Sequence, residues 1–302
     1  MPNKVKFKKH RKIWSQLSLV WEKFTEPGRP SRDDIRNYNK LLVKELKNKK
    51  NPEILVLGST PEIRNLLFKY SLLQSANITC ADMTREMYDA MSELVDNKNK
   101  KEKFVSGNWV DMKFNRKFDV VIGDYVNPNI STEYKDRYYK NILSLLKNSG
   151  CFITKDAVIT KACRINSIDE LFNEYIKKIK NEEITIKQSA TWIALRLLWA
   201  SWFKNIKKAN NVSHNFLELG IMNLRKKINS GYYKGNNLLI KAMHDKFIDA
   251  WRPFKNKYWT FYLKKDNNEM LKSYFEIDET LYSGDYDKIL TSASPIYLLK
   301  KK

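Results

Sequence analysis

Four short polar stretches, each following an apolar run, hold most of the residue types that could bind a nucleotide-like ligand and act beside it. They are Gly58-Ser59-Thr60-Pro61-Glu62, Asp82 with Met83, Gly107-Asn108-Trp109, and Asp124 with Tyr125. A glycine in a tight turn lets backbone approach a ligand closely, and Ser59 and Thr60 add polar contacts beside it. Glu62 offers a carboxylate to an ammonium group; the alternative is a first-turn helix acid favoured by the helix dipole. Asp82 stands 24 residues after Gly58, where nucleotide folds set an acid against ribose hydroxyls, and its alternative is a helix cap. Asn108 has an amide that can hydrogen-bond a ligand. Trp109 has a ring face for stacking, or is an ordinary core tryptophan. Asp124 and Tyr125 are candidates for accepting a proton at the reacting atoms, or for a structural loop contact. Of three histidines, His10 lies in a basic tail, whereas His214 and His244 fall in a later helical stretch as candidate bases or packing residues. No H-E-x-x-H, G-x-S-x-G or Walker motif occurs, and Cys80, Cys151 and Cys163 form no cluster with metal-ligand spacing, so no metal site is expected.

The elements that must position these residues alternate between strand and helix. Glu53 to Leu57 is an apolar run stopping at Gly58, the pattern of a buried parallel strand. Thr60, Pro61 and Glu62 start a helix, with the Thr60 hydroxyl as cap and proline at the first helical position. Asn77 to Ala81 is a second strand, and Thr84 opens a helix with Met87, Met91, Leu94 and Val95 on one face. Phe104 to Ser106 and Phe118 to Ile122 make the third and fourth strands. Tyr134 to Leu146 is helical, Asn148-Ser149-Gly150 is a stop signal, and Cys151 to Thr154 is a fifth strand. Strand ends in such a sheet form the ligand crevice, which is where the four polar stretches fall.

Residues 156 to 263 break the alternation. Gln188 to Phe203 is apolar nearly all round, with Trp192, Trp199 and Trp202 at helical spacing, and reads as a buried central helix; further helices are expected over 167 to 180, 213 to 228 and 237 to 250. A short helix from Asn267 to Tyr274 and strands over Phe275 to Leu281 and Ser294 to Leu299 complete the chain. The expected architecture is an α/β, Rossmann-like, mostly parallel seven-stranded sheet with helices on both faces. Its parts are a basic N-terminal helical segment over 1–50, a core of 51–155 and 264–302, and a large basic helical insertion over 156–263 that covers the substrate side.

The 302 residues carry a formal charge of +22, with 42% hydrophobic and 13% aromatic residues, which excludes a disordered chain. The excess is uneven: +10 lies in residues 1 to 50 and +11 in 151 to 263, whereas 51 to 150 carries +1 and 264 to 302 none. Such blocks steer anionic ligands or nucleic acid, or are solvated surface in a lysine- and asparagine-rich composition. Three cysteines make no disulfide framework, and neither a secretion signal nor a membrane span is read, so a cytoplasmic, reducing compartment is expected.

These features together resemble a known family. An acid ending the second strand, G-N-W after the third, F-D-V-V-I-G-D at the fourth, L-L-K-N-S-G-C-F-I before the fifth and a terminal hairpin resemble the class I S-adenosylmethionine-dependent methyltransferases over about 50 to 155 and 265 to 302. The W-x6-W of Trp14 and Trp21, followed by G-R-P-S-R-D-D-I, resembles the lead-in of a subgroup whose first loop reads L-G-x-T-P-E. Five strand-helix units also carry the resemblance, which implies S-adenosylmethionine held by Gly58, Ser59, Thr60 and Glu62 at its methionine part, Asp82 and Met83 at its ribose, Gly107, Asn108 and Trp109 at its adenine, and Asp124 beside the methyl. Asp124, Tyr125 and His214 are the candidate catalytic residues. The usual acidic-x-Gly-x-Gly-x-Gly turn is reduced here, with Val56 at the acidic place and only the first glycine kept. S-adenosylmethionine has no phosphate to cradle, so fewer glycines remain workable.

The expected acceptor is a small or carrier-bound molecule, favoured to be anionic by the basic blocks. An RNA or other nucleic-acid acceptor is the alternative, supported by the same charge and by Trp251-Arg252 and Tyr258-Trp259, although Asp124-Tyr125-Val126-Asn127 is not the N-P-P-Y loop of base-nitrogen methylation. A methyltransferase-like fold used only for binding is a third reading. A nicotinamide enzyme fits less well, because Gly58-Ser59-Thr60-Pro61 lacks the second glycine a pyrophosphate needs.

Overall fold

The computed structural model describes residues 18–96, 102–204, 211–213, 225–233, 235–251 and 257–302. Strands β1 (Glu53–Leu57), β2 (Asn77–Asp82), β3 (Lys103–Ser106), β4 (Phe118–Asp124), β5 (Leu146–Lys155), β10 (Phe275–Leu281) and β11 (Ile296–Lys301) form one sheet in the order β10-β11-β5-β4-β1-β2-β3. The five central and outer strands β5, β4, β1, β2 and β3 are parallel, and β11 runs antiparallel between β5 and β10. This is a Rossmann-like, mostly parallel seven-stranded sheet, as expected. Helices α1 (Arg32–Leu46), α2 (Pro61–Leu73), α3 (Arg85–Ser92) and α4 (Lys135–Leu145) accompany the first five strands.

Alternation along the strands divides the core. Ile54, Val56, Val120 and Ile122 point to the face covered by Tyr38, Leu41 and Leu42 of α1 and Ile63 and Leu67 of α2. Leu55, Leu57 and Val121 point to the opposite face, against Tyr138, Tyr139 and Ile142 of α4. A third cluster belongs to the intervening chain: α5 (Ile168–Lys180), α6 (Ile186–Lys204), a short helix α7 over 225–229 and α8 (Asn237–Trp251). Trp192, Trp199 and Trp202 are all buried there, and two of their indole N–H groups tie the block to its surroundings: Trp192 Nε1 donates to the Glu26 carbonyl at 2.6 Å and Trp202 Nε1 to the Phe261 carbonyl at 3.0 Å. Among the described residues no helix is long and apolar enough to cross a membrane.

Several local expectations are corrected. Helix α2 starts at Pro61 as predicted, but the Thr60 hydroxyl makes no capping bond. Helix α3 ends at Ser92, leaving Leu94 and Val95 beyond its last turn. No helix lies between β3 and β4, so five strand-helix units are not completed. Strand β5 begins at Leu146, and Asn148-Ser149-Gly150 is a bulge within it: Phe118 pairs with Leu146 but Val120 with Cys151. A Cβ on Gly150 would lie 2.8 Å from the Phe118 carbonyl oxygen, so this glycine serves close approach rather than a helix end. The insertion also contains short strands, β6 (Val158–Ile159) paired with β9 (Tyr262–Leu263) and β7 (Asn211–Ser213) paired with β8 (Tyr258–Thr260). Ser213 is therefore extended, 225–229 is helical, and the rest of the helix expected over 213 to 228 lies outside the described residues. Helix α9 (Lys264–Lys272) starts earlier than expected. The strands β10 and β11 are joined through α10 (Lys288–Ser292) rather than a tight hairpin turn.

Thr84 does cap, its Oγ1 accepting from the Met87 backbone N–H at 3.1 Å. Thr84→Ala should cost about 1 kcal/mol of unfolding free energy in urea denaturation, the usual loss for an N-cap.

Candidate functional site

The sheet order reverses between β1 and β4, and open α/β sheets bind ligands outside the strand ends at that point. Leu57 pairs with Gly123, so the turn at Gly58 and the end of β4 at Asp124 are neighbours. Gly58 has φ +92°, a left-handed conformation that side chains disfavour, and its N–H donates to the Ala81 carbonyl at 2.9 Å. Gly123 is required for another reason: a Cβ there would meet Val126 Cγ2 at 2.4 Å, where the chain folds back after β4.

From this turn the polar strand ends are linked. The buried Ser59 donates through Oγ to Asp82 Oδ2 at 2.6 Å, and the Met83 N–H donates to Asp82 Oδ1 at 2.6 Å. Burial raises the Asp82 carboxyl above its ordinary range, against the hydrogen bonds from Ser59 and Met83. The Gly107 N–H donates to the Asp82 carbonyl at 2.9 Å, joining the ends of β2 and β3. Asn108 Oδ1 accepts from the Val110 N–H at 3.1 Å, which spends the amide oxygen on its own turn. Trp109 donates its indole N–H to the Ala81 carbonyl at 2.9 Å and sets its ring edge beside Gly58.

A second group meets at Asp124. Tyr38, fully buried on α1, donates to Asp124 Oδ1 at 2.8 Å. Burial pushes the Asp124 carboxyl up to about 7; Lys155 opposes this, Asp34 and Glu62 add to it, and the Tyr38 hydrogen bond favours the ionised form. Lys155, the last residue of β5, is completely buried with Asp34 of α1, Nζ to Oδ2 at 2.7 Å. Its ammonium also reaches the Tyr286 hydroxyl at 3.1 Å and the Pro27 carbonyl at 3.3 Å, and lies 4.6 Å from the Tyr125 ring centre. Burial alone would lower the Lys155 value, but Asp34 and the surrounding acidic groups hold it well above the ordinary one. Tyr125 sits at φ +48° and donates to Ser294 Oγ at 2.8 Å. On α2, Glu62 Oε1 accepts a hydrogen bond from Trp21 Nε1 at 3.4 Å and lies 3.2 Å from Arg29 Nε as an ion pair, while its Oε2 is buried with no hydrogen-bond partner.

The loop after β4 is tied down by two buried lysines. Lys135 Nζ donates to the side-chain and backbone oxygens of Asn127, whose amide donates to Asp156 Oδ2. Burial brings Lys135 down to about 7 and Lys257 well below its ordinary value; Lys257 bonds Asn129 Oδ1 and lies 3.7 Å from the Trp259 ring centre. The network reaches back to the end of β4 through Asn129, whose amide donates to the Tyr125 carbonyl at 2.8 Å.

Because the folded Asp124 value is raised, its contribution to stability is complete below the ordinary 3.8 and is lost as pH rises toward 7. Asp124→Asn should therefore gain stability relative to the parent between pH 5 and pH 8, as thermal melts at the two pH values would report.

Of the residues singled out from sequence, Gly58, Ser59, Asp82, Met83, Gly107 and Trp109 are linked by hydrogen bonds along the carboxyl ends of β1, β2 and β3, with Glu62 and Asp124 on the adjoining side. His214 lies outside the described residues. His244 is buried on α8, with Nδ1 3.1 Å from the neighbouring Asp245. Sequence reasoning missed Asp34, Tyr38, Lys155 and Tyr286. A lysine closing an apolar strand was a signal for Lys155, by the same rule that picked out Asp82; the S-R-D-D run contained Asp34 without indicating its partner.

No protein-family model and no curated protein matches this chain. Solved structures match it in fold. A protein from Rhodobacter sphaeroides named as a zinc-dependent alcohol dehydrogenase superimposes with a TM-score of 0.56 at 14% identity, covering 97% of this chain and 98% of that one. A protein from Pyrococcus horikoshii OT3 gives 0.49 at 15% identity over 90% and 92% of the two chains. The N-methyltransferase NodS of Bradyrhizobium japonicum, solved with S-adenosyl-L-homocysteine, gives 0.46 at 7% identity over 96% and 98%. At these identities the similarity establishes the fold alone.

Proposed function

We propose that this chain is an S-adenosylmethionine-dependent methyltransferase acting on a small or carrier-bound acceptor. One observation carries the reading: the buried, unpartnered Oε2 of Glu62 stands in the first helical turn after the left-handed Gly58 turn, at the topological switch point. A buried carboxylate oxygen without a donor is costly, and the cofactor's ammonium supplies one. The rest of the crevice suits the other parts of that molecule. Asp82 and Ser59 carry oxygens suited to ribose hydroxyls, and the Trp109 ring and the Asn108 amide nitrogen are the groups available to adenine. When bound, the cofactor supplies a methyl group activated by its sulfonium.

The chain's own tasks are then alignment and proton handling. Methyl displacement requires donor and acceptor to be held in line, a task suited to the hydrogen-bonded loop after β4. Asp124, with its value near 7 and one oxygen held by Tyr38, is suited to take a proton from the acceptor. The Tyr125 hydroxyl, raised by burial and committed to Ser294, serves instead as a wall.

Calorimetric titration with S-adenosylhomocysteine, using NAD as the control, tests the reading: micromolar binding of the first alone is expected. Asp82→Ala should weaken that binding by about 1–3 kcal/mol, the loss for hydrogen bonds to a charged group. Binding of neither ligand would move the assignment to a binding module built on this fold.

A further inference from the structure

The carboxylate of Asp124 is placed to distinguish a cationic ligand from an otherwise identical neutral one. Asp124 ends β4 directly beside the Gly58 turn of β1, so a ligand seated at the switch point lies against it. Its surroundings on each side are specific: Tyr38 and Asp34 from α1, Glu62 from α2, Lys155 from β5 and Tyr125 from the following loop. The Lys155 charge is already matched by Asp34, and Arg29 by Glu62. Tyr38 occupies only Oδ1 of Asp124. The ionised Asp124 is thus the acid in this group without a cation of its own.

We propose that Asp124 is the residue by which this protein selects the sulfonium form of its cofactor over the spent thioether, and that this selection is switched by protonation of Asp124. The inference rests on the methyltransferase reading. S-adenosylmethionine and S-adenosylhomocysteine share ammonium, carboxylate, ribose and adenine, and differ by one methyl and one positive charge. Titration of Glu62 and Asp82, whose values burial also raises, acts on the groups the two ligands share and cancels in the ratio of their affinities. Titration of Asp124 does not cancel. Its ionised form attracts the sulfonium and is indifferent to the thioether, so the charged cofactor displaces its own product above neutrality. Below neutrality that preference fades.

Calorimetry with both ligands at pH 5.5, 7.0 and 8.5 tests this without any turnover. The ratio of the homocysteine Kd to the methionine Kd should rise about 5-fold or more from pH 5.5 to pH 8.5, the factor expected of a fully water-screened charge pair at about 4 Å. At pH 6 S-adenosylmethionine binding should release protons, seen as a dependence of the heat on buffer ionisation, and S-adenosylhomocysteine binding should release fewer. Asp124→Asn should flatten the ratio across pH. Tyr38→Phe removes a hydrogen bond to the ionised form, so it should move the transition to higher pH while leaving a transition in place. A ratio independent of pH in the parent, with both ligands binding, overturns the inference and leaves the cofactor reading standing. So does a pH-dependent ratio that survives in Asp124→Asn. Failure of both ligands to bind at any pH overturns the cofactor reading itself.

Discussion

Asp34→Ala should lower the unfolding free energy by about 3–5 kcal/mol, the cost of leaving one partner of a buried ion pair uncompensated. Asp34 and Lys155 are both fully inaccessible to solvent, and the Lys155 ammonium has no other full charge bonded to it. The aspartate also accepts from the Ser31 N–H at 2.9 Å and from the Tyr286 hydroxyl, so alanine removes a helix-capping bond with the ion pair. Asp34→Asn separates the two effects, because an amide oxygen keeps the cap while the charge is gone. Pairing Asp34→Asn with Lys155→Met should recover most of the loss, since neutralising both partners removes the desolvation penalty that a single change exposes. The Lys155 value is raised in the fold, so its contribution is fully present below the ordinary 10.5 and is lost only as pH rises beyond that. Urea denaturation at pH 6 and pH 8 should therefore give the same difference between Asp34→Asn and the parent from the lysine side. Equal stability of Asp34→Ala and the parent would mean that the pair does not hold α1 to β5.

This ion pair also shows what the chain discloses before it folds. The strand ends were legible because each is a local pattern: an apolar run of β-branched residues that stops at a glycine or an acid. Asp82 and Asp124 follow that rule, and the structure sets both at the carboxyl edge of the sheet. Asp34 and Lys155 are 121 residues apart and become partners only because β11 and β5 bring the outer strands past α1. Tyr38 had no signal at all, being one aromatic in an ordinary amphipathic helix. Thr60 misled in the other direction. Its residue type suits a cap, but Thr60 leaves the Gly58 turn at φ −52° and ψ 113°, and its hydroxyl makes no capping bond.

Charge was legible as a sum and misleading as a local guide. The basic blocks over 1–50 and 151–263 suggest an anionic ligand, yet the charged groups gathered around the end of β4 are Asp34, Glu62 and Asp124 against Lys155 and Arg29. Among the described residues, lysines such as Lys40, Lys44, Lys177 and Lys187 are exposed on helix faces, whereas burial selects residues that can be paired or that complement a ligand. A cationic centre is accordingly better matched to the interior of this crevice than the overall charge indicates.

Glu62→Gln carries the second large effect, on binding rather than folding. The substitution keeps the shape of the side chain and its Oε1 contacts with Arg29 and Trp21, and removes the negative charge facing the buried side. If Oε2 receives the ligand's ammonium, S-adenosylhomocysteine affinity should fall by about 2–5 kcal/mol, the range for truncating one partner of a buried hydrogen-bonded charge pair. The deamino analogue of S-adenosylhomocysteine closes the cycle: it should bind the parent and Glu62→Gln alike, because the group that Glu62 serves is missing. The competing role is that of an acid stabilising the first turn of α2, which predicts a stability change of about 0.3–1 kcal/mol and no change in ligand affinity. The two roles separate cleanly, since one appears in titration and the other in denaturation. Burial already raises the Glu62 value, so the carboxylate of the free protein protonates more readily than an exposed glutamate, and an ammonium ligand should draw it back to the charged form. Affinity should therefore weaken at acid pH in the parent and show a smaller acid-side loss in Glu62→Gln. An unchanged S-adenosylhomocysteine Kd in folded Glu62→Gln would return Glu62 to the helix and leave the orphaned oxygen without its ligand.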